Sequence, residues 1–295
     1  MPDSPRHLDA RPRSILVTGA TGNVGREIVE RLRSHDVNVR SLARRHIESR
    51  PGFESVAGDL TDPAVVRAAL AGIDAVFLIW PLLDTAPAEP LLAELSAIQT
   101  HLVYLSSTAV DDPAAHQSDP IVQVHADMEA LLHGAGLHPT VLRSDTLASN
   151  TRGWAAQLLA GDVVRGPDIA RTAVVDERDV AAAAVAALLA RNEELDRDSY
   201  LLTGPELLSR SDQVDLLGAA LGRPLRFEAV PSELARARML ADGRNEQLVD
   251  ALLAASTHRP DSTLVTDHVE RLTGQPARTF ARWSFDHAAE FTRRR

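Results

Sequence analysis

Residues 14–30 read Ser14-Ile15-Leu16-Val17-Thr18-Gly19-Ala20-Thr21-Gly22-Asn23-Val24-Gly25-Arg26-Glu27-Ile28-Val29-Glu30, and this stretch decides the fold. Its apolar run over 15–17 is typical of a strand that is buried on both faces. Val24, Ile28 and Leu32 then recur four residues apart, which is the spacing of one buried helical stripe. The change from strand to helix falls on glycines, namely Gly19, Gly22 and Gly25.

Glycines at such a turn point to a phosphate. Glycine permits positive φ, lets a ligand approach the backbone and lets the helix pack closely on the strand. The free N–H groups and the positive dipole end of the helix favour an anion. A glycine triplet also fits a plain turn, but its place between a strand and a helix near the start of the chain favours a dinucleotide. The predicted cofactor contacts in this turn are Gly19, Thr21, Gly22, Asn23, Val24 and Gly25.

Composition narrows the class of protein. With 295 residues, 44% of them hydrophobic, the chain can bury the core of one large α/β domain with a smaller lobe. The net charge of −10 argues against a nucleic-acid surface, and no apolar run is long enough to span a membrane. The absence of cysteine excludes disulfides and thiolate metal sites, and the scattered histidines predict no metal site. These features fit a cytoplasmic enzyme.

Strand and helix patterns alternate along the first half of the chain. This alternation predicts a doubly wound parallel sheet, the Rossmann fold. Right-handed crossovers place the carboxyl end of every strand along one crevice. The predicted organisation is a flexible tail over 1–13, an NAD(P)-binding domain over 14–145 with 171–192 packing back on it, and an α+β substrate lobe over 146–170 and 193–295.

Arginines follow the second predicted strand, at the position that lies beside the adenosine ribose in a dinucleotide fold. An acidic residue there would bind the 2′-hydroxyl and repel a 2′-phosphate. Arg44 and Arg45 instead favour NADP(H) over NAD(H), with Arg44 as the main contact and Arg45 or Arg40 in support. Exposed arginines that follow a strand by chance are the alternative.

Other strand ends supply candidate contacts. Trp80 would face the nicotinamide, although a core position is equally compatible with a Trp at a strand end. The hydroxyls of 106–108 could reach a ligand or merely satisfy backbone groups. A helix that begins near Asn150 could bring Trp154 to the substrate pocket. The predicted cofactor contacts here are Ile79, Trp80 and Ser106, and the predicted substrate contacts are Trp80, Leu82, Leu83, Thr108, Arg143 and Trp154.

The spacing in Thr-Gly-Ala-Thr-Gly-Asn-Val-Gly resembles that of the atypical and extended short-chain dehydrogenase/reductases. Several later segments are similar to the NmrA-like group of these proteins, namely 125–132, 136–143, 172–181, 200–205, 216–224 and 281–291. One departure is Arg143-Ser144, where that group usually has Arg-Pro. The resemblance implies that Asp59 and Leu60 border the adenine ring. It also implies either an NAD(P)H-dependent quinone reductase or a redox-sensing regulator.

The resemblance further implies a Tyr-x-x-x-Lys pair, in which tyrosine donates a proton and lysine lowers its pKa. Counted from Glu129, the lysine position holds His125 and the tyrosine position holds Ile121, so both groups are missing. His125 is therefore a candidate proton donor, since an ordinary pKa near 6.5 suits that task. It could instead form a surface pair with Glu129, four residues away, or hold the ribose of the cofactor. The other catalytic candidates are Ser106 and Ser107.

An intact cofactor site without the tyrosine proton donor predicts an NADPH-dependent reductase. Its acceptor would be a small conjugated molecule such as a quinone, an enone or a ketone, which needs less proton assistance. The alternatives are a non-catalytic NADP(H)-sensing regulator, and a biosynthetic tailoring enzyme (ketoreductase, dehydratase or cyclase) in which His125 acts as acid or base. The sequence specifies neither the acceptor nor an oligomeric state.

Overall fold

A computed structural model of the chain describes residues 13–46, 48–49, 51–98, 100–190 and 195–292. Residues 1–12 of the predicted tail lie outside the described residues. Arg13 does not belong to a tail, because it is the first residue of strand β1, and its Nη1 donates to the Leu189 carbonyl at 3.3 Å.

Seven parallel strands form the central sheet in the described part of the chain, in the order β3-β2-β1-β4-β5-β6-β8. This arrangement confirms the predicted doubly wound fold. The strand order reverses between β1 and β4, and ligands of open α/β sheets bind at that reversal. The strands are β1 (Arg13–Thr18), β2 (Val37–Ala43), β3 (Phe53–Ala57), β4 (Ala75–Leu78), β5 (His101–Ser107), β6 (Thr140–Ser144) and β8 (Ser199–Leu202).

Helices cover both faces of this sheet, as the buried strand β1 requires. Ile15 and Val17 pack into one core cluster with the first and sixth helices, while Leu16 packs into the opposite cluster with the second, third and fourth. Alternate residues of a strand point to opposite faces, so one short apolar run supplies both clusters. These helices are α1 (Asn23–Leu32), α2 (Pro63–Leu70), α3 (Glu89–Ile98), α4 (Pro120–Gly134) and α6 (Glu177–Leu189).

A lobe with its own core lies beyond the carboxyl ends of β5 and β6. Trp283 is fully buried in that core, and its Nε1 donates to Glu177 Oε2 at 2.9 Å. Glu177 also accepts from Arg152 Nη1 at 2.7 Å, so one buried carboxylate joins the lobe to α6. The elements of the lobe are α5 (Ala155–Ala160), β7 (Val163–Gly166), α7 (Arg210–Leu221), β9 (Arg226–Ala229), α8 (Ser232–Ala241), α9 (Glu246–His258) and α11 (Phe280–Asp286). Helix α10 (His268–Thr273) instead packs on α6 and β8, and its Val269 joins the core of the central sheet.

Strands β7 and β9 pair in parallel as a small second sheet of the lobe. Strand β8 instead extends the central sheet beside β6, so the residues after 193 are shared between the sheet and the lobe. In the part of the chain that the structure describes, no helix is both long enough and apolar enough to cross a membrane.

Candidate cofactor and active site

The glycine turn between β1 and α1 is shaped by backbone contacts. Gly19 has φ +64°, a conformation that side chains disfavour, and the Gly22 amide donates to its carbonyl at 2.9 Å. A Cβ on Gly25 would lie 2.2 Å from the Gly19 carbonyl oxygen. The helix therefore packs directly on the turn, and only glycine fits at the contact.

Helix α1 begins without a side-chain cap. Gly22 occupies the N-cap position, and the first turn of the helix contains no acidic residue. Helices α2, α4 and α9, by contrast, are capped by Asp62, Asp119 and Asn245. The first-turn N–H groups of α1 are thus left to a ligand, and the dipole favours an anion. This arrangement fits the pyrophosphate of a dinucleotide. Only the backbone of Val24 is available for such a contact, because its side chain lies in the core.

Arg44 and Arg45 are exposed just beyond the carboxyl end of β2. Hydrogen bonds from the Thr61 amide and hydroxyl lower the pKa of Asp59, and the charge of Arg44 lowers it further. Arg44 and Asp59 therefore lie near each other, as expected for two residues at the adenosine end. Leu60 differs from them, because it packs into the core.

Arg40 has a structural role that its sequence position did not indicate. Its Nε donates to Glu54 Oε2 at 2.7 Å, and its Nη1 donates to the Ala71 carbonyl at 2.7 Å. These contacts tie β2 to β3 and to the end of α2. The side chain of Arg40 is thus engaged within the protein, and the support of a 2′-phosphate by Arg45 stays a prediction.

The structure corrects the expected position of Trp80. Its side chain is 5% exposed, packs among core residues and donates from Nε1 to the Asp84 carbonyl at 3.0 Å. Leu82 and Leu83 follow it outward, and none of these three residues lines the large cavity described below. Ile79 does lie at the glycine turn, because its Cδ1 would meet a Cβ on Gly19 at 3.3 Å.

A cavity of about 1420 Å³ separates the central sheet from the lobe. Asn23, at the start of α1, lines one part of it, so the glycine turn and the cavity are continuous. Three of the predicted strand-end residues, all at the end of β5, line this cavity, whereas the predicted contacts at the ends of β2, β3 and β4 do not. From the sheet side the lining includes Ser106, Ser107, Thr108, His125, Ser144 and Asp145, and from the lobe it includes Trp154, Arg210, Phe227 and Met239.

Glu129 and Arg143 form a buried ion pair, and neither residue lines the cavity. Arg143 Nη2 lies 2.6 Å from Glu129 Oε2 and 2.5 Å from Asp112 Oδ1, and the Arg143 and Glu129 side chains are each 11% exposed. Ser106 donates its hydroxyl to Glu129 Oε1 at 2.5 Å. The structure therefore corrects two expectations, since Arg143 does not line the cavity and Glu129 is not part of a surface pair with His125.

His125 faces the cavity from α4, and its Nδ1 lies 3.2 Å from the hydroxyl of Tyr104. Burial lowers the pKa of His125 to about 4, although the charge of Glu129 acts in the opposite direction. The expected pKa near 6.5 is thus corrected, and the imidazole is neutral at pH 7. Burial raises the pKa of Tyr104 well above its ordinary value, so its hydroxyl keeps its proton.

The shifted pKa of His125 predicts acid sensitivity. Between pH 6.5 and about 4 the unfolded chain binds a proton that the folded chain does not, so the free energy of unfolding falls as the pH falls through this window. We expect this site to remove about 1–2 kcal/mol between pH 7 and pH 5. Urea denaturation at both pH values measures the loss, which His125→Asn should abolish.

The exposed His138 supplies a matched control, and His138→Asn should keep the wild-type dependence of stability on pH. An equal loss of stability in His125→Asn and in the wild type would show that His125 titrates normally in the folded protein.

The remaining polar groups at the ends of β5 and β6 bond to neighbouring backbone groups. Ser107 accepts the Ala109 amide at 3.2 Å, and the Thr108 amide donates to the Ser144 carbonyl at 3.1 Å. These contacts form the wall of the cavity. Tyr104 was missed from the sequence, although the two-residue period of β5 puts it on the same face as Ser106 and thus under α4.

Comparisons with known proteins agree with this geometry. A family model described as NAD(P)H-binding matches residues 19–191. The chain is 39% identical over 287 residues to a (4-alkanoyl-5-oxo-2,5-dihydrofuran-3-yl)methyl phosphate reductase of Streptomyces griseus, covering 94% of this chain and 99% of that protein. It is 32% identical to an NAD(P)H azoreductase of Xenophilus azovorans, again over 94% and 99% of the two chains.

Solved structures share the fold at lower identity. The NADPH complex of an NADPH-dependent quinone oxidoreductase from Escherichia coli has a TM-score of 0.73 at 22% identity, covering 92% of this chain and 98% of that one. A Citrobacter triphenylmethane reductase complexed with NADP(H) has a TM-score of 0.75 at 19% identity, covering 93% and 99%.

Proposed function

The chain belongs to the NAD(P)H-binding, NmrA-like family of atypical short-chain dehydrogenase/reductases, and from this premise we propose that it reduces a small conjugated acceptor with NADPH. Its similarity to two named reductases, at 39% and 32% identity, together with the NAD(P)H-binding family model, makes it an NAD(P)H-dependent reductase. The finer assignment depends above all on one observation. Asn23 of the uncapped helix and His125 of α4 line the same cavity, so a bound dinucleotide and an acceptor could meet there.

NADPH, when bound, supplies a hydride. The chain would hold its pyrophosphate with the first-turn amides of α1 and its 2′-phosphate with Arg44 and Arg45. Arg44 stands where an acidic residue would select NAD(H), and this supports NADP(H) as the preferred cofactor.

His125 would act on the acceptor as a neutral donor. The Tyr104 hydroxyl keeps its proton and can donate a hydrogen bond to Nδ1; in that arrangement the hydrogen of the neutral imidazole lies on Nε2. A neutral N–H can polarise a carbonyl through a hydrogen bond, but it transfers a proton less readily than an imidazolium does. This favours acceptors in which conjugation spreads the negative charge after hydride arrives.

The relatives support an acceptor of this kind. The name of the Streptomyces griseus enzyme describes an oxo-dihydrofuran with an alkanoyl group, in which one carbon of the ring alkene carries both carbonyl groups. The azoreductase acts on a different conjugated group. Both names fit hydride transfer to an extended π system.

The proposal is tested by the oxidation of NADPH with matched acceptors. We expect turnover with quinones and with unsaturated lactones, and a rate at least about 100-fold lower with simple ketones, which need a full general acid. Absorbance of NADPH provides the measurement. Tight NADPH binding without turnover of any acceptor would contradict the proposal and favour the regulator.

Arg44 should determine the choice between the two cofactors. Replacing Arg44 with Gln removes a charge-assisted bond to the 2′-phosphate, so the Kd for NADPH should rise about 10- to 100-fold while that for NADH stays constant. Fluorescence titration with each cofactor measures both constants. Arg33→Gln is a matched control, because that exposed arginine pairs with Glu30 in α1. An equal change in both constants would mean that Arg44 does not read the phosphate.

A further inference from the structure

Arg210 presents a positive charge to the cavity and makes no direct ion pair within the described part of the chain. Its guanidinium carbon lies 5.2 Å from the centroid of the Trp154 ring, and both residues line the cavity. Its Nη1 contacts Gln213 Oε1 at 3.4 Å, which is a weak hydrogen bond. Among the described residues, no carboxylate lies within ion-pair distance of Arg210. Partly buried arginines are normally paired, so this one is available to a ligand.

The surroundings of Arg210 strengthen its attraction for an anion. Burial lowers its pKa to about 10, while the charge of Asp168 acts in the opposite direction, and the side chain stays protonated at neutral pH. The cavity nearby is lined by apolar side chains such as Phe227 and Val230. A cation with little water around it attracts an anion more strongly than an exposed cation does. Stacking on Trp154 also holds the plane of the guanidinium.

A second guanidinium lies near the segment that carries Trp154. Arg244 Nη2 is 3.4 Å from the place that a Cβ on Gly153 would occupy, and Gly153 directly precedes Trp154. The two arginines therefore flank the same short segment, Arg210 inside the cavity and Arg244 at its exposed rim. Within the described chain Arg244 has no ion-pair partner either.

Most of the other charged groups that line the cavity form hydrogen bonds or ion pairs within the protein. Asp145 accepts the Thr146 and Ala173 amides, and Asp261 accepts the Arg171 amide. Asp111 and Asp242 are exposed to solvent. Three further groups are held in ion pairs, namely Asp162 with Arg223, Arg165 with Glu228, and Arg259 with Asp119. Arg238 also lines the cavity, but it is exposed on α8. The charge of Arg210 thus remains for whatever enters the cavity.

We propose that the acceptor carries an anionic group, of the phosphate or sulfonate type, which Arg210 binds with Arg244 at the rim. This inference rests on the proposed function, because it names the chemical class of the acceptor at the same site. A guanidinium fork matches two oxygens of such a group. The conjugated part of the acceptor then extends toward His125. The phosphates of NADPH go elsewhere, since the glycine turn lies at β1 and Arg210 lies on α7 of the lobe.

The first experiment compares 1,4-naphthoquinone with its 2-sulfonate as acceptors. In the wild type, the KM for the sulfonate should be about 10- to 100-fold lower than that for the neutral quinone, which is the effect of one charge-assisted bond. Arg210→Gln should bring the ratio of the two KM values close to one, and Arg210→Lys should keep part of it. Arg226→Gln is the matched control, because Arg226 is exposed on β9 and does not line the cavity.

The second experiment does not depend on turnover. Calorimetry measures the binding of phenyl phosphate to the NADP⁺-saturated protein, and Arg210→Gln should raise the Kd about 10-fold or more. If no acceptor is reduced but this binding still requires Arg210, the proposed function fails and the anion site stands. If quinones are reduced with equal KM values, and phenyl phosphate binds wild type and Arg210→Gln equally, the inference is overturned. Thermal melting of each variant shows whether a loss of binding results from the loss of the anion site or from unfolding of the protein.

Discussion

Gly22→Asp should abolish NADPH binding, with a Kd at least about 100-fold higher, while the protein stays folded. Gly22 has φ −78° and ψ 176°, which any residue can adopt, and a Cβ there would lie 3.2 Å from the Gly19 carbonyl oxygen. The new carboxylate would cap α1 in the way that Asp62 caps α2. It would then occupy the amides that the pyrophosphate needs and repel the phosphate by charge.

The same substitution should leave the melting temperature unchanged or slightly higher, because an N-cap aspartate stabilises a helix by a few tenths of a kcal/mol relative to glycine. Loss of binding without loss of stability is therefore the expected signature. Calorimetry with NADPH and a thermal melt measure the two quantities. Gly22→Ala is the control, since it adds the same Cβ without the charge and should weaken binding only a few-fold. NADPH binding by Gly22→Asp at wild-type strength would place the pyrophosphate elsewhere.

Glu129→Leu should destabilise the protein by about 3–5 kcal/mol, the usual cost of removing one partner of a buried ion pair. It would leave Arg143, whose side chain is 11% exposed, with Asp112 as its remaining acid partner in the described chain. It would also remove the acceptor of the Ser106 hydroxyl. Urea denaturation measures the change in the free energy of unfolding.

Two further variants distinguish the contribution of the ion pair to stability from that of side-chain packing. Replacing both Glu129 and Arg143 with Leu should recover part of the loss, because no unpaired charge then remains in the interior. Glu94→Leu removes one partner of the exposed pair between α2 and α3, and it should cost less than about 1 kcal/mol. A similarly small cost for Glu129→Leu would mean that the Arg143 charge is not buried in solution.

Much of the fold could be predicted because its signals are local. The apolar run of β1, the glycines that follow and the four-residue spacing of α1 lie within one short stretch, and the sheet order follows from alternating strands and helices. The convergence of Asn23, Ser106 and Thr108 on one cavity was also predictable, since parallel strands place their carboxyl ends on one edge. The small sheet of β7 and β9 was not predicted, because its strands are short and far apart in the sequence.

The candidate site was less predictable wherever a side chain has two possible environments. Trp80 at a strand end could face either the ligand or the core, and packing against α3 and its neighbours placed it in the core. Arg40 and Arg44 are alike in the sequence, yet Glu54 and the carbonyls at the end of α2 engage only Arg40 in the contacts described here. Such partners come from other segments of the chain, so no local pattern reports them.

The sequence by itself determined the parallel sheet and an NAD(P)-binding chain, and it predicted a missing tyrosine–lysine pair. Each of these depends on residue identity and on short-range spacing, which the chain displays directly. The tertiary structure alone decided that His125 is neutral and that Glu129 is buried with Arg143. It also decided that Arg210 faces the cavity without a direct ion pair in the described chain. The physical reason is that pKa values and unbalanced charge depend on burial and on neighbours, and both arise only when distant segments pack together.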